Sequence, residues 1–152
     1  MTNIQHETEI NAPVARVYDY YTNPNNIQKA WPRDIVKESE SLSSSQNEEG
    51  SEMRVKGEYM GKQEEMILEV VDKQQNKRLV RRQTQGPFKK WESIQEFQEN
   101  ISNRTRVRHS IDYELQATGK IANLFSGNQA DSKISQGLEQ SAQTVKQKLE
   151  SG

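Results

Sequence analysis

Hydrophobic and polar positions along this chain change period twice. From Ile4 to Ile10 they alternate, with Ile4, His6, Thr8 and Ile10 against Gln5, Glu7 and Glu9, the period of a strand with one mixed inner face. Asn11-Ala12-Pro13 stops that strand, and Pro13 is expected as an early helical residue with Asn11 or Ala12 near the cap. Val14, Val17, Tyr18 and Tyr21 then share one face of a short helix. Thr22-Asn23-Pro24-Asn25-Asn26 ends it and starts a second, Ile27 to Ala30, which Trp31-Pro32 closes.

From Ile35 the period is two. Ile35 to Leu42 reads as a strand leading into the polar hairpin loop Ser43 to Gly50. Met53, Val55, Gly57 and Tyr59 form the next face, followed by a tight turn at Gly61-Lys62. Met66, Leu68 and Val70 come after it, with Ile67 and Val71 blurring the alternation. Gln74 to Lys77 turns the chain into Arg78 to Thr84; Gly86-Pro87 turns it into Lys90 to Gln98; Asn100 to Asn103 turns it into Arg104 to Gln116. That last strand alternates without a fault, Thr105, Val107, His109, Ile111, Tyr113 and Leu115 on one face and charged or polar residues on the other. One covered and one wet face is antiparallel behaviour.

The final change is to a helical period. A segment Lys120 to Phe125 and a break at Ser126-Gly127-Asn128 are expected to lead into a helix over Lys133 to Gly152, where Ile134, Leu138, Ala142, Val145 and Leu149 draw one apolar stripe. Such a helix of roughly 18 residues spans about 27 Å. Its stripe needs a partner, and a curved sheet is what the rest of the chain offers. The fold class is therefore α+β.

Composition changes this picture little. The chain has 152 residues, which suits one domain over 1–152. Its apolar fraction of 31% and mean hydropathy of −1.06 are low, but the net charge of −1 is unlike a disordered chain's. The core is expected to be thin and the exterior very polar. With no cysteine there is no disulfide or thiolate chemistry. Neither a signal-like segment nor a run of about 18 apolar residues is present, so a soluble, cytoplasmic protein without stable membrane insertion is expected. Asn100-Ile101-Ser102 and Asn103-Arg104-Thr105 read as chance glycosylation patterns.

The order of elements, together with Glu9-Ile10-Asn11-Ala12-Pro13-Val14-Ala15-Arg16-Val17-Tyr18-Asp19 and Asn23-Pro24-Asn25-Asn26-Ile27 before Trp31-Pro32, resembles the START-like or helix-grip superfamily, also called polyketide cyclase/dehydrase-like or SRPBCC. The likeness covers essentially the whole chain. It implies a curved seven-stranded antiparallel sheet wrapped around the long C-terminal helix, two short helices between strands 1 and 2, and a cavity that in many members takes an apolar or amphipathic molecule. Members include lipid carriers, aromatase/cyclases and chaperone-activating domains, so the fold leaves function open.

Chemistry-bearing motifs are few. The chain lacks a phosphate loop, a strained nucleophile elbow and metal-ligand spacing around its two histidines, and no cofactor or metal is expected. His109 and Tyr113 lie on the covered face of the best strand. If the superfamily topology holds, the first strand adds His6 and Thr8 to that face. His109 with a tyrosine, Tyr113 or Tyr59, could serve as acid and base, orient a ligand, or be a satisfied core group. Trp91, Ser93, Gln95 and Phe97 form a second mixed stripe. Either Ser93 and Gln95 face a hydrated or ligand-filled cavity, or the strand is flipped with Ile94 inward. Met53, Tyr59, Met66 and Leu68, with Leu138 from the helix, supply apolar wall. Trp31 to Ile35 and Lys120 to Gly127 are the expected portal.

Basic residues at Lys77-Arg78, Arg81-Arg82, Lys89-Lys90 and Arg104/Arg106/Arg108 are matched by Glu92 and Glu96, which reads as an ion-paired outer sheet rather than a nucleic-acid surface. The function expected is binding of a small hydrophobic or amphipathic molecule. A cyclase/dehydratase-like enzyme and a co-chaperone-like interaction module with an unknown protein partner are the alternatives.

Overall fold

A computed structural model describes residues 2–43, 48–59, 61–116 and 120–151, with only the backbone of 120–130. The elements follow as β1 (Thr2–Ile10), α1 (Val14–Thr22), α2 (Asn25–Ala30), β2 (Val36–Ser41), β3 (Glu52–Tyr59), β4 (Lys62–Gln74), β5 (Arg78–Gln85), β6 (Phe88–Glu99), β7 (Thr105–Leu115) and α3 (Lys120–Glu150). The strands make one seven-stranded antiparallel sheet in the order β1-β7-β6-β5-β4-β3-β2. It curls around α3 as the helix-grip arrangement expected from the sequence. All five residues of the α3 stripe are buried, Leu138 and Val145 at 1% exposure.

Two elements differ from their sequence reading. α3 runs unbroken from Lys120, through the expected break at Ser126-Gly127-Asn128. A helical glycine costs only about 1 kcal/mol against alanine, less than packing over a helix of this length can supply. Pro13 is the cap of α1, in an extended conformation, and not its first turn. The Thr105 hydroxyl holds the bend beneath it by donating to the Ala12 carbonyl at 2.8 Å. The blurred faces of β4 have a cause as well: its register with β5 shifts between Ile67 and Leu68 and between Val70 and Asp72. At such a bulge the alternation slips by one residue. Part of the Ser43 to Gly50 loop and the side chains of the Lys120 to Gly127 portal segment lie outside the described residues.

α1 seats Val17 and Tyr18 on the sheet, with Tyr18 edge-on to Phe97 at 5.3 Å. α2 is clasped to edge strand β2. The Gln28 amide donates to Ser39 Oγ at 3.0 Å, the Ser39 amide donates to Gln28 Oε1 at 2.9 Å, and Ser39 Oγ donates to the Pro24 carbonyl. At the far end of α3, Lys146 donates to the Glu9 carbonyl at 2.7 Å and Glu150 accepts from the Asn11 amide at 2.8 Å, tying the helix to the end of β1. Between Trp31 and β2 the chain passes close to two glycines. A Cβ on Gly57 would sit 1.9 Å from the Ile35 carbonyl oxygen, and one on Gly137 of α3 would sit 2.7 Å from the Trp31 ring.

The outer face is ion-paired, with Lys89 of β6 paired to Glu114 of β7, but the β6 glutamates take other partners than the arginines of β7. Glu92 and Glu96 pair with Arg82 and Arg78 of β5, while Arg108 and Arg104 pair with Glu7 and Glu9 of β1. Each acid has a choice of strands, and period counting does not reveal which it takes. Among the described residues no helix is long and apolar enough to cross a membrane.

Candidate functional site

The inward faces of β5, β6 and β7 build the site. Period-two alternation on β6 turns Trp91, Ser93, Gln95 and Phe97 to the concave side, and the register sets Gln95 against His109 and Ser93 against Ile111 on β7. On β5 the same rule puts Arg81 on the face of the buried Leu79, directly across from Ser93. Between these strands, β3, β4, the two short helices and α3 lies a cavity of about 310 Å³, at the small end of the range typical of ligand pockets, ~300–1,000 Å³.

Its wall is mostly apolar and aromatic. Tyr59 and Phe88 rings lie 4.6 Å apart, and Phe88 and Trp91 rings 4.7 Å apart. Met66, Leu68, Ile111, Ile134 and Val145 continue that surface. Polar side chains on the inner strand faces of that wall include Arg81, Ser93, Gln95 and His109. His109 Nε2 lies 2.9 Å from Ser93 Oγ in a hydrogen bond. Burial, then the Arg81 charge, then His6 pull its pKa down to about 3, so the ring is neutral at physiological pH. Arg81 is 4% exposed and donates from Nη2 to the carbonyls of Tyr21 and Thr22 at 3.2 and 3.3 Å. Burial lowers its pKa to about 10, which still leaves it charged. Burial also raises the Tyr59 hydroxyl, with Glu64 adding to the effect.

Of the residues singled out from sequence, Tyr59, Met66, Leu68, Trp91, Ser93, Gln95 and His109 line this cavity. The others sit in the packing around it. Tyr113 and Leu138, each 1% exposed, pack with Phe88, Ile111 and Ile134. The Tyr113 hydroxyl is buried without a hydrogen bond among the described residues. Phe97 packs with Tyr18 and Tyr21 in the neighbouring cluster. Met53 is buried opposite Leu68 in the sheet register. His6 stands opposite His109 on β1, with its Nδ1 3.1 Å from Thr8 Oγ1. The strand β6 is not flipped: Gln95 and Phe97 are buried, and Ile94 is only partly so.

Sequence reasoning passed over Arg81, Phe88 and the α1–α2 wall, Tyr21 and Ile27 among it. Arg81 was legible: Leu79 and Arg81 share parity, so if one faces the core the other does too. The doublet Arg81-Arg82 hid this by reading as one basic patch. Trp31 and Ile35, of the expected portal, both lie on the cavity wall. Among the described residues no three His, Asp or Glu side chains converge to hold a metal ion.

Comparison with known proteins adds the following. The family described as polyketide cyclase / dehydrase and lipid transport matches residues 1–150. No curated protein matches the chain. A solved protein of Thermus thermophilus superposes with a TM-score of 0.81 at 20% identity, over 97% of each chain. A START superfamily protein from Mycobacterium smegmatis gives 0.77 at 16% identity, over 98% of this chain and 97% of its own. The Zhui aromatase/cyclase from a Streptomyces species gives 0.75 at 15% identity, over 98% of this chain and 93% of its own. At these identities the likeness establishes the shared fold.

Proposed function

Because the chain belongs to the polyketide cyclase/dehydrase and lipid transport family, we propose that it is a single START-like unit that binds a small apolar or amphipathic molecule between α3 and the sheet. The observation that carries this reading is the company kept by Gln95. It is 4% exposed, its side-chain amide makes no hydrogen bond among the described residues, and it lies on the wall of a cavity lined mostly by aromatic and aliphatic groups. A ligand's polar group would satisfy that amide while its apolar remainder buries the wall.

The acid/base alternative is weaker. An imidazole with a pKa near 3 is a poor proton acceptor at neutral pH, where an effective catalyst titrates close to the working pH. Tyr113 lies off the cavity wall, which leaves Tyr59 as the tyrosine of that pair that lines it. The interaction-module alternative asks for a broad exposed apolar patch. Among the described residues the large apolar side chains left exposed are Leu42 and Ile101.

Titration with an uncharged naphthalene dye, 6-propionyl-2-(dimethylamino)naphthalene, followed by emission and by amide chemical shifts, tests the reading. Saturable 1:1 binding with shifts at Trp91, Ser93, Gln95 and His109 is expected. Shifts confined to the outer face of the sheet, or no saturable binding, would overturn it.

A further inference from the structure

Arg81 is a cation placed where a cation is hard to keep. It is 4% exposed on the inner face of β5 and lines the cavity. Its Nη2 is committed to the last carbonyls of α1, but Nε and Nη1 donate to nothing among the described residues. Every Asp and Glu in the chain lies among those residues, and the ion pairs they form involve other bases. Main-chain carbonyls supply partial charge only, so a buried guanidinium remains without a counter-ion.

On β6, opposite Leu79 and two residues on from Ser93, Gln95 brings its unpartnered amide to the same cavity. Two adjacent strands thus bring unused N–H donors, from a charged guanidinium and a neutral amide, to one cavity. That donor set matches a carboxylate, whose two oxygens accept several hydrogen bonds in one plane. The aromatic and aliphatic wall around it suits an apolar body. Other charges near the cavity stand apart. Glu64 lies six residues along β4 from Val70, the residue opposite Arg81, or about 20 Å at ~3.3 Å per residue. Glu65 follows it on β4 and is paired with Arg54, Glu58 stands opposite Gln63, and Lys133 is exposed. An acid that entered would be repelled by the carboxylates and drawn to the β5 side.

We propose that the molecule bound is an organic acid, an apolar body bearing one carboxylate, received by one free N–H of Arg81 and the amide of Gln95. This rests on the cavity being the binding site and names the class of ligand it takes. The competing account, in which Arg81 serves only to hold the end of α1, gives no reason for ligand charge to matter.

Displacement of the uncharged dye by decanoic acid and by decan-1-ol, at one neutral pH, separates them. The acid should displace at concentrations at least about tenfold lower than the alcohol, the preference expected of a charge-assisted contact. Arg81→Met should erase that preference, so that acid and alcohol displace at similar concentrations. Gln95→Leu, which leaves the α1 contact alone, should reduce the preference and so gives a second reading if Arg81→Met does not fold. Equal displacement by acid and alcohol from the unmodified protein would overturn the organic-acid proposal with the binding site intact. Failure of the dye to bind would instead overturn the site itself.

Discussion

Gly137→Ala sets two effects of opposite sign against each other. In a helix interior alanine is favoured over glycine by about 1 kcal/mol, and Gly137 lies well inside α3. On propensity alone the variant should be more stable. Yet its new methyl would sit 2.7 Å and 2.9 Å from Trp31 Cζ3 and Cε3 and 2.8 Å from Ile35 Cδ1. Carbon atoms in good contact sit ~3.5–4.0 Å apart, so the indole must retreat by close to an ångström. Trp31 touches both halves of the core, and overpacking of this kind costs about 1–3 kcal/mol. The packing effect wins. A net loss of up to about 2 kcal/mol is expected, a Tm lowered by a few degrees in a chain of this length. Urea unfolding followed by far-ultraviolet circular dichroism measures the loss. Stopped-flow mixing with the uncharged dye should show faster entry, because the displaced segment lines the cavity. A variant more stable than its parent, with unchanged entry, would refute the packing of Trp31 over Gly137.

Other expectations follow from the same contacts. Leu138→Ala removes a side chain 1% exposed from the cluster of Phe88, Ile111, Tyr113 and Ile134, and should cost about 2–5 kcal/mol in a denaturant titration; a loss below about 1 kcal/mol would mean that α3 is not seated there. His109 has a pKa near 3 in the folded chain against an ordinary 6.5. Between those values the unfolded chain holds a proton that the folded chain refuses. Its contribution is therefore complete above about pH 6.5 and is lost as pH falls toward 3, by at most about 1.4 kcal/mol per unit. Urea midpoints at about pH 5 and about pH 7 should differ less for His109→Gln than for the parent; an equal difference would show that His109 does not titrate this way.

Much of the architecture was legible because burial on one face imprints a period. β7 could be read residue by residue, since one side meets α3 and the core while the other meets water. The stripe from Ile134 to Leu149 announced a partner for the same reason. What stayed hidden depends on closure in three dimensions. The slips in β4 are set by how β5 lies beside it, which alternation within one strand does not record. The continuity of α3 through Gly127 opposes local propensity and is decided by length and packing. The site was half legible. Ser93, Gln95 and His109 stood out as polar residues on covered faces, whereas Arg81 was masked by a charged neighbour that faces the solvent. Trp31 and Ile35 reach the cavity only because Gly57 and Gly137 let the chain pass so near, a consequence of missing side chains that hydropathy cannot express.

The clasp between Gln28 and Ser39 bears on how molecules of this protein meet each other. β2 is the last strand of an open sheet, and a bare strand border is a template on which another chain can extend the ladder. Here the amide in the middle of that border is already donating to Gln28 Oε1, and Lys37, Glu38 and Glu40 beside it carry solvated charge. A second copy approaching edge-on would find the central rung taken and would have to lift α2 away to use it. Strand-by-strand pairing of two copies through this border is thereby opposed.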